Sequence, residues 1–330
     1  MKALVCSDRG VNLDELPTPE LTIGEALVAV RTAGICNTDL ELARGYMNFR
    51  GTLGHEVFGN VVAMYPKDEP LGTPLVPSEL AGKRVVMEIN CACGRCSTCR
   101  NGGRNHCPTR TVLGILGRDG GLAEYVRIPM ENLHVVPESI PDEHAVFIEP
   151  LAAALHAFDD APLRPGDRVC LLGDGKLGLL IGLALAARRG DLGRAVAVGH
   201  HRTNLDILAA AGLDVVLEKR FSESNFDVVI EATGHPSGLA RATQLVRPRG
   251  TILLKSTYAG EANVDFAPIV INEIKLIGSR CGDFARAIDV LRKGVINPSP
   301  LVTARYSLAE AERAFAHAAT PGVMKVLVVP

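Results

Sequence analysis

The sequence predicts an α/β protein in which an irregular, mostly β domain precedes a doubly wound parallel sheet. Two observations lead to this fold class. Residues up to about 150 are rich in glycine and proline around short β-like runs, whereas strands and helices alternate from about Gly166 onward. The length agrees with this division, because 330 residues correspond to two domains at roughly 150 residues each.

The elements of the first domain are short runs of β-forming residues bounded by glycine or proline. They lie at residues 26–32, 57–64, 83–89 and 122–128. In the second domain we expect strands at 168–172, 195–198, 227–230, 251–254 and 275–277, with helices at 176–189 and 204–211. Helical patterns at 284–293 and 308–318 then precede a β-like run at 325–329. Only 15 positions separate Gly212 from Asp227, so we expect one βα unit of the sheet to be trimmed.

Composition and charge exclude several classes of protein. The 35 Lys and Arg residues nearly balance 37 Asp and Glu residues, and the aromatic fraction is 4% without tryptophan. Neither a basic surface for phosphate backbones nor a base-stacking surface is therefore expected, and we expect no nucleic-acid partner. The N-terminus has no long apolar stretch, and the apolar run at 177–187 is too short to span a bilayer. We expect a soluble cytoplasmic protein with no membrane partner.

Five of the nine cysteines fall between positions 91 and 107. Those at spacings of two, two and seven intervening residues are Cys93, Cys96, Cys99 and Cys107. Four thiolates spaced in this way can surround a tetrahedral zinc and leave no position open for a substrate, which indicates a structural site. The alternative is a set of reduced thiols without metal. Cys91 lies close by, so the register of the ligands stays open.

A second group of candidate ligands is scattered along the first domain. The three segments are Gly34-Ile-Cys36-Asn-Thr38-Asp39, Gly54-His55-Glu56-Val-Phe-Gly59 and Glu149-Pro150-Leu151. Each segment is weak evidence alone, because a lone buried cysteine or histidine is more often a core residue than a ligand. Together they supply one sulfur, one imidazole and two carboxylates, a set that suits a catalytic zinc with an exchangeable position.

A glycine-rich turn follows the first expected strand of the second domain. Its sequence is Gly173-Asp-Gly175-Lys-Leu-Gly178, and a helical pattern begins directly after it. Between a strand and a helix, GxGxxG indicates a site for the pyrophosphate of a dinucleotide at the helix N-terminus. The candidate coenzyme-binding residues in the turn are Gly173, Gly175, Lys176, Leu177 and Gly178. A tight turn that binds no ligand is the alternative.

The order of these three groups resembles the zinc-dependent medium-chain alcohol dehydrogenases over essentially the whole chain. Within that family the chain is most similar to the sorbitol, threonine and glucose dehydrogenase branch, where a glutamate follows the ligand histidine. The resemblance implies a GroES-like domain at residues 1–152 with a structural zinc lobe at about 90–108, and a Rossmann domain at 153–283. It also implies that residues 284–330 complete the first domain. Homodimers or homotetramers would pair through the sheet edge near residues 264–277.

The resemblance also implies roles for individual residues. The ligands of a catalytic zinc would be Cys36, His55, Glu56 and Glu149, the last directly or through water. Asp39 matches the carboxylate that orients the ligand histidine, and Thr38 matches the hydroxyl that bonds the substrate oxygen. Arg280 falls where the family often contacts coenzyme or substrate, although a surface salt bridge explains it equally well.

One position departs from the family and concerns the proton path. Glu41 stands three residues after Thr38, where relatives commonly have a histidine that passes protons to solvent. A carboxylate can take over that relay if burial raises its pKa. The competing interpretations are that Glu41 is a solvated helix residue or that it binds a polar group of the substrate.

The end of the second expected strand bears on the choice of coenzyme. An NAD enzyme usually places an acidic residue there to bind the ribose hydroxyls. This chain instead has Gly199-His200-His201-Arg202. A small residue leaves room for a 2′-phosphate, and Arg202 with one or both histidines could bind it. The sequence therefore favours NADP over NAD, unless Arg202 points to solvent.

We therefore expect a zinc-dependent oxidoreductase that transfers a hydride between an alcohol and NAD(P). The substrate is a small alcohol or its carbonyl product, and secondary alcohols, polyols and amino alcohols all remain open. A quinone reductase shares the fold but lacks zinc, and the eight matched ligand positions argue against it. A non-catalytic zinc protein that kept the fold is the other alternative, and the second, open ligand set argues against that.

Overall fold

The computed structural model describes residues 1–65, 79–257 and 263–330. The strands of the first half of the chain are β1 (Lys2–Ser7), β2 (Gly10–Glu15), β3 (Glu25–Ile35), β4 (Gly51–Thr52), β5 (Glu56–Met64), β6 (Arg84–Met87), β7 (Asn90–Cys91), β8 (Thr111–Val112), β9 (Tyr125–Pro129) and β10 (Leu133–Val135). Those of the second half are β11 (Arg168–Leu172), β12 (Arg194–Gly199), β13 (Asp214–Leu217), β14 (Phe226–Glu231), β15 (Val246–Leu254), β16 (Lys275–Gly278), β17 (Val302–Ser307) and β18 (Lys325–Val329). The helices are α1 (Asn37–Ala43), α2 (Ser97–Arg100), α3 (Asp142–Ala145), α4 (Ile148–Asp160), α5 (Lys176–Ala186), α6 (Arg202–Ala210), α7 (Gly238–Leu245), α8 (Ala267–Ile271), α9 (Phe284–Arg292) and α10 (Ala311–Ala318).

The chain divides into two units, and the first is mostly β. It comprises Met1–Glu149, Leu291–Lys293 and Leu301–Pro330. Its main sheet has the order β10-β6-β5-β3-β18-β17, and β9 also pairs with β3. The last strand of the chain, β18, is antiparallel to β3, with Val326 opposite Ile35. The C-terminal segment therefore reaches the end of β3, where the candidate metal ligand Cys36 follows.

The second unit is built around a parallel sheet. It comprises Pro150–Val290 and Gly294–Pro300. Its described strands follow the order β13-β12-β11-β14-β15-β16, and all pairs are parallel. Both β11, at 169–172, and β14, at 228–230, contain buried apolar runs, because helices cover such a sheet on both faces. The strand order reverses direction between β11 and β14, so the carboxyl ends of these strands form the crevice where such sheets bind ligands. The fold class expected from the sequence is confirmed.

Two parts of the second unit differ from the sequence expectation. A strand, β13, precedes the trimmed segment and pairs with β12, and only a 3₁₀ turn at Glu218–Arg220 leads from it to β14. The crossover helix is thus shortened while the sheet keeps its outer strand. Helix α9 lies with the second unit as far as Val290, although residues from 284 onward were expected in the first. Its residues Phe284 and Ala287 are buried.

None of the helices in the described part of the chain has the length and apolar character needed to cross a bilayer. The most apolar helix, α5, has 11 residues and is buried from Gly178 to Ala186. It packs against the parallel sheet as a core helix.

Candidate functional site

The candidate catalytic ligands come together at the ends of two neighbouring strands. Cys36 follows β3 and caps the N-terminus of α1, while His55 directly precedes β5 and Glu56 is the first residue of β5. Strands β3 and β5 are antiparallel, with Gly34 opposite Glu56. One ligand atom from each of Cys36, His55 and Glu56 lies within 4.8 Å of the other two. The pairing of two strands thus assembles a set of sulfur, nitrogen and oxygen donors.

Asp39 ties this group together from α1. One of its oxygens, Oδ2, accepts a hydrogen bond from the Cys36 backbone N–H at 2.8 Å, and Oδ1 accepts one from the Gly54 N–H at 3.2 Å. Oδ1 also lies 3.3 Å from Nδ1 of His55. The side chain is fully buried. A single carboxylate therefore fixes the start of the helix and lies beside the imidazole, where a group that supports a metal ligand is expected.

The electrostatics around His55 favour its charged form when no metal is bound. Burial acts to lower the pKa of His55, but the charges of Asp39 and Cys36 outweigh burial and raise the pKa well above its usual range. A metal must displace that proton to bind the ring nitrogen, so metal binding at this site is linked to proton release.

Lys325 is a member of the site that sequence reasoning missed. Its Nζ bonds Oε2 of Glu56, and both side chains are almost completely buried. Burial acts to lower the pKa of Lys325, while the charge of Glu56 raises it above its usual value. The other oxygen of Glu56, Oε1, is buried and has no hydrogen-bond partner among the described residues. An orphaned buried carboxylate oxygen beside a thiol and an imidazole fits a metal cation.

Glu149 lies outside the group formed by Cys36, His55 and Glu56. It lies in the first turn of α4, and its carboxylate is not among the donors grouped within 4.8 Å. Burial raises its pKa to about 7, His55 acts to lower it, and Glu56 acts to raise it further. Glu149 therefore exchanges a proton near neutral pH and feels the charges of the site. This arrangement favours contact through water over direct ligation.

The two residues expected to handle the substrate proton lie on α1. The hydroxyl of Thr38 is 3.9 Å from the Sγ of Cys36, so it borders the ligand group. The carboxylate of Glu41 accepts a hydrogen bond from Nη1 of Arg44 at 2.7 Å and is 23% exposed. The ion pair with Arg44 agrees with the interpretation of Glu41 as a solvated helix residue. For Glu41 to relay protons, this ion pair would have to open.

The cysteine lobe forms a second, closed group. Its sulfurs belong to Cys93, Cys96, Cys99 and Cys107. The distances between neighbouring sulfurs range from 3.4 to 4.0 Å. A tetrahedron with zinc–sulfur bonds of 2.3 Å has sulfur–sulfur edges of about 3.8 Å. Cys91 lies outside the group, in β7, where its thiol contacts the Ile89 carbonyl at 3.8 Å. The four sulfurs that lie together are thus those of the register that includes Cys93 rather than Cys91.

Backbone amides in the lobe favour charged sulfur. The backbone N–H groups of Arg95 and Cys96 lower the pKa of Cys93 to about 5, and the N–H of Cys93 lowers the pKa of Cys107. Burial raises the pKa of Cys99 to about 12, so this thiol needs a cation to ionise. None of the nine cysteines, all of which lie in the described ranges, forms a disulfide. The lobe fits a tetrahedral metal with four protein ligands.

The glycine-rich turn has the shape of a dinucleotide site. Gly173 has a φ of +119°, and a Cβ there would come 2.5 Å from the carbonyl oxygen of Ala232. A Cβ at Gly178 would come 2.3 Å from the Gly173 carbonyl, whereas one at Gly175 would meet nothing within 4 Å. The first glycine thus permits the turn, the third permits close packing, and the second leaves its open side to a ligand.

The start of α5 completes this turn. Gly175 is the N-cap, no side chain caps the helix, and Lys176 and Leu177 lie in its first turn. The first N–H groups of a helix have no partner within the helix. Together with the open side of Gly175, these N–H groups fit the pyrophosphate of a dinucleotide.

The other predicted coenzyme residues lie at the ends of two strands. Gly199 ends β12, His200 is exposed, and His201 is the N-cap of α6. The Nε of Arg202 bonds Oδ1 of Asp206 at 2.7 Å along the surface of α6. Arg280 is exposed just beyond β16, and its carbonyl accepts a hydrogen bond from Lys255.

Similarity to known proteins extends over the whole chain. The family described as alcohol dehydrogenase GroES-like domain matches residues 22–138, and the family described as zinc-binding dehydrogenase matches residues 178–293. A sorbitol dehydrogenase of Halalkalibacterium halodurans is 30% identical over 100% of this chain and 99% of its own length. An Escherichia coli CFT073 alcohol dehydrogenase complexed with NADH has a TM-score of 0.88 at 27% identity, covering 100% of this chain and 99% of that one. A Sinorhizobium meliloti 1021 protein bound to NADP has a TM-score of 0.86 at 28% identity, with the same coverage.

The two family matches fall in different units, one in the β unit and one mainly in the parallel-sheet unit. The similarity is therefore not that of one shared domain. The full-length relatives have both units in the same order. With its two groups of candidate metal ligands and its glycine-rich turn, the chain belongs to the zinc-dependent medium-chain alcohol dehydrogenases.

Proposed function

We propose that the chain is a dehydrogenase that uses zinc to transfer a hydride between an alcohol carbon and a nicotinamide dinucleotide. The buried group of Cys36, His55 and Glu56 carries this proposal. Three protein ligands leave the fourth position of a zinc open to substrate or water, as catalytic sites do. The cysteine lobe leaves no such position. We therefore propose two zinc ions per chain, one catalytic and one structural.

The residues around the ligand group have separate tasks in this proposal. When bound, zinc and nicotinamide supply a Lewis acid that lowers the pKa of an alcohol oxygen and an acceptor for the hydride. Thr38 accepts the alcohol proton and donates its own, because a hydroxyl does both. Asp39 holds His55 in orientation, and Lys325 offsets part of the charge of Glu56.

Glu149 and Glu41 are the two carboxylates that bear on the path of the proton. With a pKa of about 7, Glu149 can take up or release a proton at neutral pH. Glu41 can serve as a relay only when its bond to Arg44 opens. We therefore propose Glu149 as the carboxylate that holds water beside the ligand group, and we keep the Glu41 relay as a testable alternative.

The substrate class is proposed from the relatives and tested directly. The relatives include enzymes that act on sorbitol and on L-threonine. We propose a secondary hydroxyl on a small polar substrate, either a polyol or an amino alcohol. Purified protein is incubated with a panel of these alcohols and with NAD or NADP, and reduced coenzyme is measured by absorbance. Turnover that stops on zinc chelation and returns with added zinc supports the proposal. Absence of turnover with every alcohol and both coenzymes would leave a non-catalytic zinc protein.

The location and assembly of the protein are also proposals. Nine cysteines that form no disulfide suit the reducing cytoplasm. The edge strand β16 and the neighbouring helix α8 expose apolar side chains: Phe266 is 59% exposed, Val270 74% and Ile271 78%. A sheet edge flanked by exposed apolar residues favours pairing with another chain. We propose a homodimer through this edge, with a homotetramer as the larger assembly.

The coenzyme is a nicotinamide dinucleotide. The finer question is whether it is NAD or NADP, which carries an additional phosphate at the 2′ position of ribose. In the sequence, the small Gly199 and the basic Arg202, with one or both of the preceding histidines, favour NADP. The guanidinium of Arg202 bonds Asp206 on the helix surface, so binding a 2′-phosphate requires that pair to open. For Arg280 we propose a contact with coenzyme phosphate, which a weaker affinity of Arg280→Gln for both coenzymes would support.

A further inference from the structure

We propose that Asp174, inside the glycine-rich turn, makes the chain select NAD over NADP. The proposal rests on the proposed function, since it requires that the second unit bind a nicotinamide dinucleotide. It concerns the residue between the first two glycines of the motif, a position that the motif itself leaves unspecified. The structure shows that the Asp174 carboxylate lies beside the end of β12, where dinucleotide-binding proteins usually place the acidic residue that binds ribose.

The Asp174 side chain is buried and held in one place. Its exposure is 5%, and Oδ2 accepts a hydrogen bond from the His201 backbone N–H at 2.7 Å. The ring nitrogen Nδ1 of His201 lies 3.2 Å from the same oxygen. The Asp174 carbonyl accepts a hydrogen bond from Nδ2 of Asn204 at 2.9 Å. The turn after β11 and the start of α6 are therefore joined through Asp174.

Gly199 is small because Asp174 fills the space beside it. A Cβ at Gly199 would lie 2.4 Å from Cγ, 2.5 Å from Cβ and 2.7 Å from Oδ2 of Asp174, and these are its three nearest neighbours. The space that the sequence suggested for a 2′-phosphate is occupied by a carboxylate. An acidic group therefore lies at the end of β12, but it belongs to the turn rather than to the strand.

A carboxylate at this place distinguishes the two coenzymes. An ionised carboxylate only accepts hydrogen bonds and has about four lone-pair sites, so it can accept from ribose hydroxyls beyond its bonds to His201. A 2′-phosphate brings negative charge and no equivalent donor to the same place, and like charges repel at short range. Arg202, a basic residue that the sequence offers to offset this repulsion, is bonded to Asp206 and is 65% exposed.

The experiment measures binding rather than turnover. NADH and NADPH are titrated into the full-length zinc-loaded protein and followed by coenzyme fluorescence. We expect the wild-type chain to bind NADH at least about tenfold more tightly than NADPH, a difference of about 1.4 kcal/mol. Asp174→Asn keeps the shape but removes the charge and one acceptor, so the preference for NADH should fall by at least about tenfold.

A second variant keeps the test decisive if Asp174→Asn folds poorly. The double change Asp174→Gly with Gly199→Asp removes the turn carboxylate and returns one to the strand end, in the space that Asp174 vacates. It should restore the preference for NADH. The matched control is Asp214→Asn, which removes a carboxylate of the same unit that is 66% exposed and pairs with Arg194. Asp214 begins β13, at the opposite edge from the carboxyl ends, so both affinities should stay unchanged.

Three results would overturn the proposal. Tighter binding of NADPH by the wild-type chain would contradict it directly. An equal loss of both affinities in Asp174→Asn would show that Asp174 only positions α6. Binding of neither coenzyme by the wild-type chain would overturn the proposed function as well, which separates that failure from the other two.

Discussion

Replacing Lys325 by methionine tests whether the buried ion pair with Glu56 is part of the metal site. The change keeps the length of the side chain and removes its charge. Both partners are at most 4% exposed, so Lys325→Met leaves the Glu56 carboxylate buried with neither metal nor cation to balance it. Removing one partner of a buried pair costs about 3–5 kcal/mol. We expect a loss of that size in the free energy of unfolding of the metal-free protein.

The metal changes this expectation in a defined way. A cation bound at Glu56 replaces the lost charge, so the zinc-loaded variant should lose less stability than the metal-free variant. By linkage, zinc at the group of Cys36, His55 and Glu56 should raise the free energy of unfolding of the variant by more than it raises that of the wild-type chain. Thermal unfolding with and without metal measures both effects. For a unit of this size, 3–5 kcal/mol corresponds to a fall in Tm of about 6–20 °C.

Two further variants make the test specific. Adding Glu56→Gln to Lys325→Met removes both charges and should recover most of the lost stability of the metal-free protein, because the two effects are coupled. Lys83→Met, at an exposed position of the same unit, should change the Tm little. A loss below about 1 kcal/mol in Lys325→Met, or a double variant that is no more stable than the single one, would refute the reasoning.

Three other predictions follow from the site and the sheet edge. Cys36→Ala should remove one of two zinc ions and abolish the activity with little loss of stability. Cys99→Ala should lower the Tm and promote aggregation, because the zinc of the cysteine lobe contributes folding energy. Metal analysis that finds fewer than two zinc ions in the wild-type protein would contradict both expectations. If Glu41 relays protons, Glu41→Gln should lower kcat and alter its pH profile. If Glu41 only forms the ion pair with Arg44, the variant should leave both kcat and KM unchanged, and the structure favours this second result. Ile271→Glu should convert the proposed dimer to a monomer in light scattering, while a monomeric wild-type protein would exclude pairing through this edge.

The parts of the fold that were predicted from the sequence have strong local signals. The expected strand at 168–172 is β11, and the helix expected from 176 is α5, because a continuous apolar run, a glycine turn and a second apolar run follow one another. Strand β13 gave no comparable signal, since its four residues are only partly buried. Its position is set by pairing with β12. No local pattern in the sequence of β13 predicts that pairing.

The candidate site divides in the same way. Four ligands of the cysteine lobe fall within 15 positions, so their spacing alone indicates a metal site. Lys325 lies 269 positions from Glu56, and no spacing rule links a lysine at the start of the last strand to a glutamate after a histidine. The antiparallel pairing of β18 with β3 brings them together, and it follows from the return of the chain to its first unit.

Gly199 shows why the size of one residue does not by itself decide which coenzyme a site binds. A glycine at a strand end leaves room for a phosphate only if no other side chain enters the space, and protein interiors leave few such spaces empty. Here the side chain that enters comes from Asp174, 25 positions earlier, and is held by the backbone of the helix that follows Gly199. The two positions therefore have to be interpreted together. In the proposal that Asp174 selects NAD, an acidic residue between the first two glycines of the turn supplies the carboxylate that other chains place on the strand itself. The double variant that exchanges Asp174 and Gly199 tests that equivalence, because it moves the charge from the turn to the strand and keeps it at the end of β12.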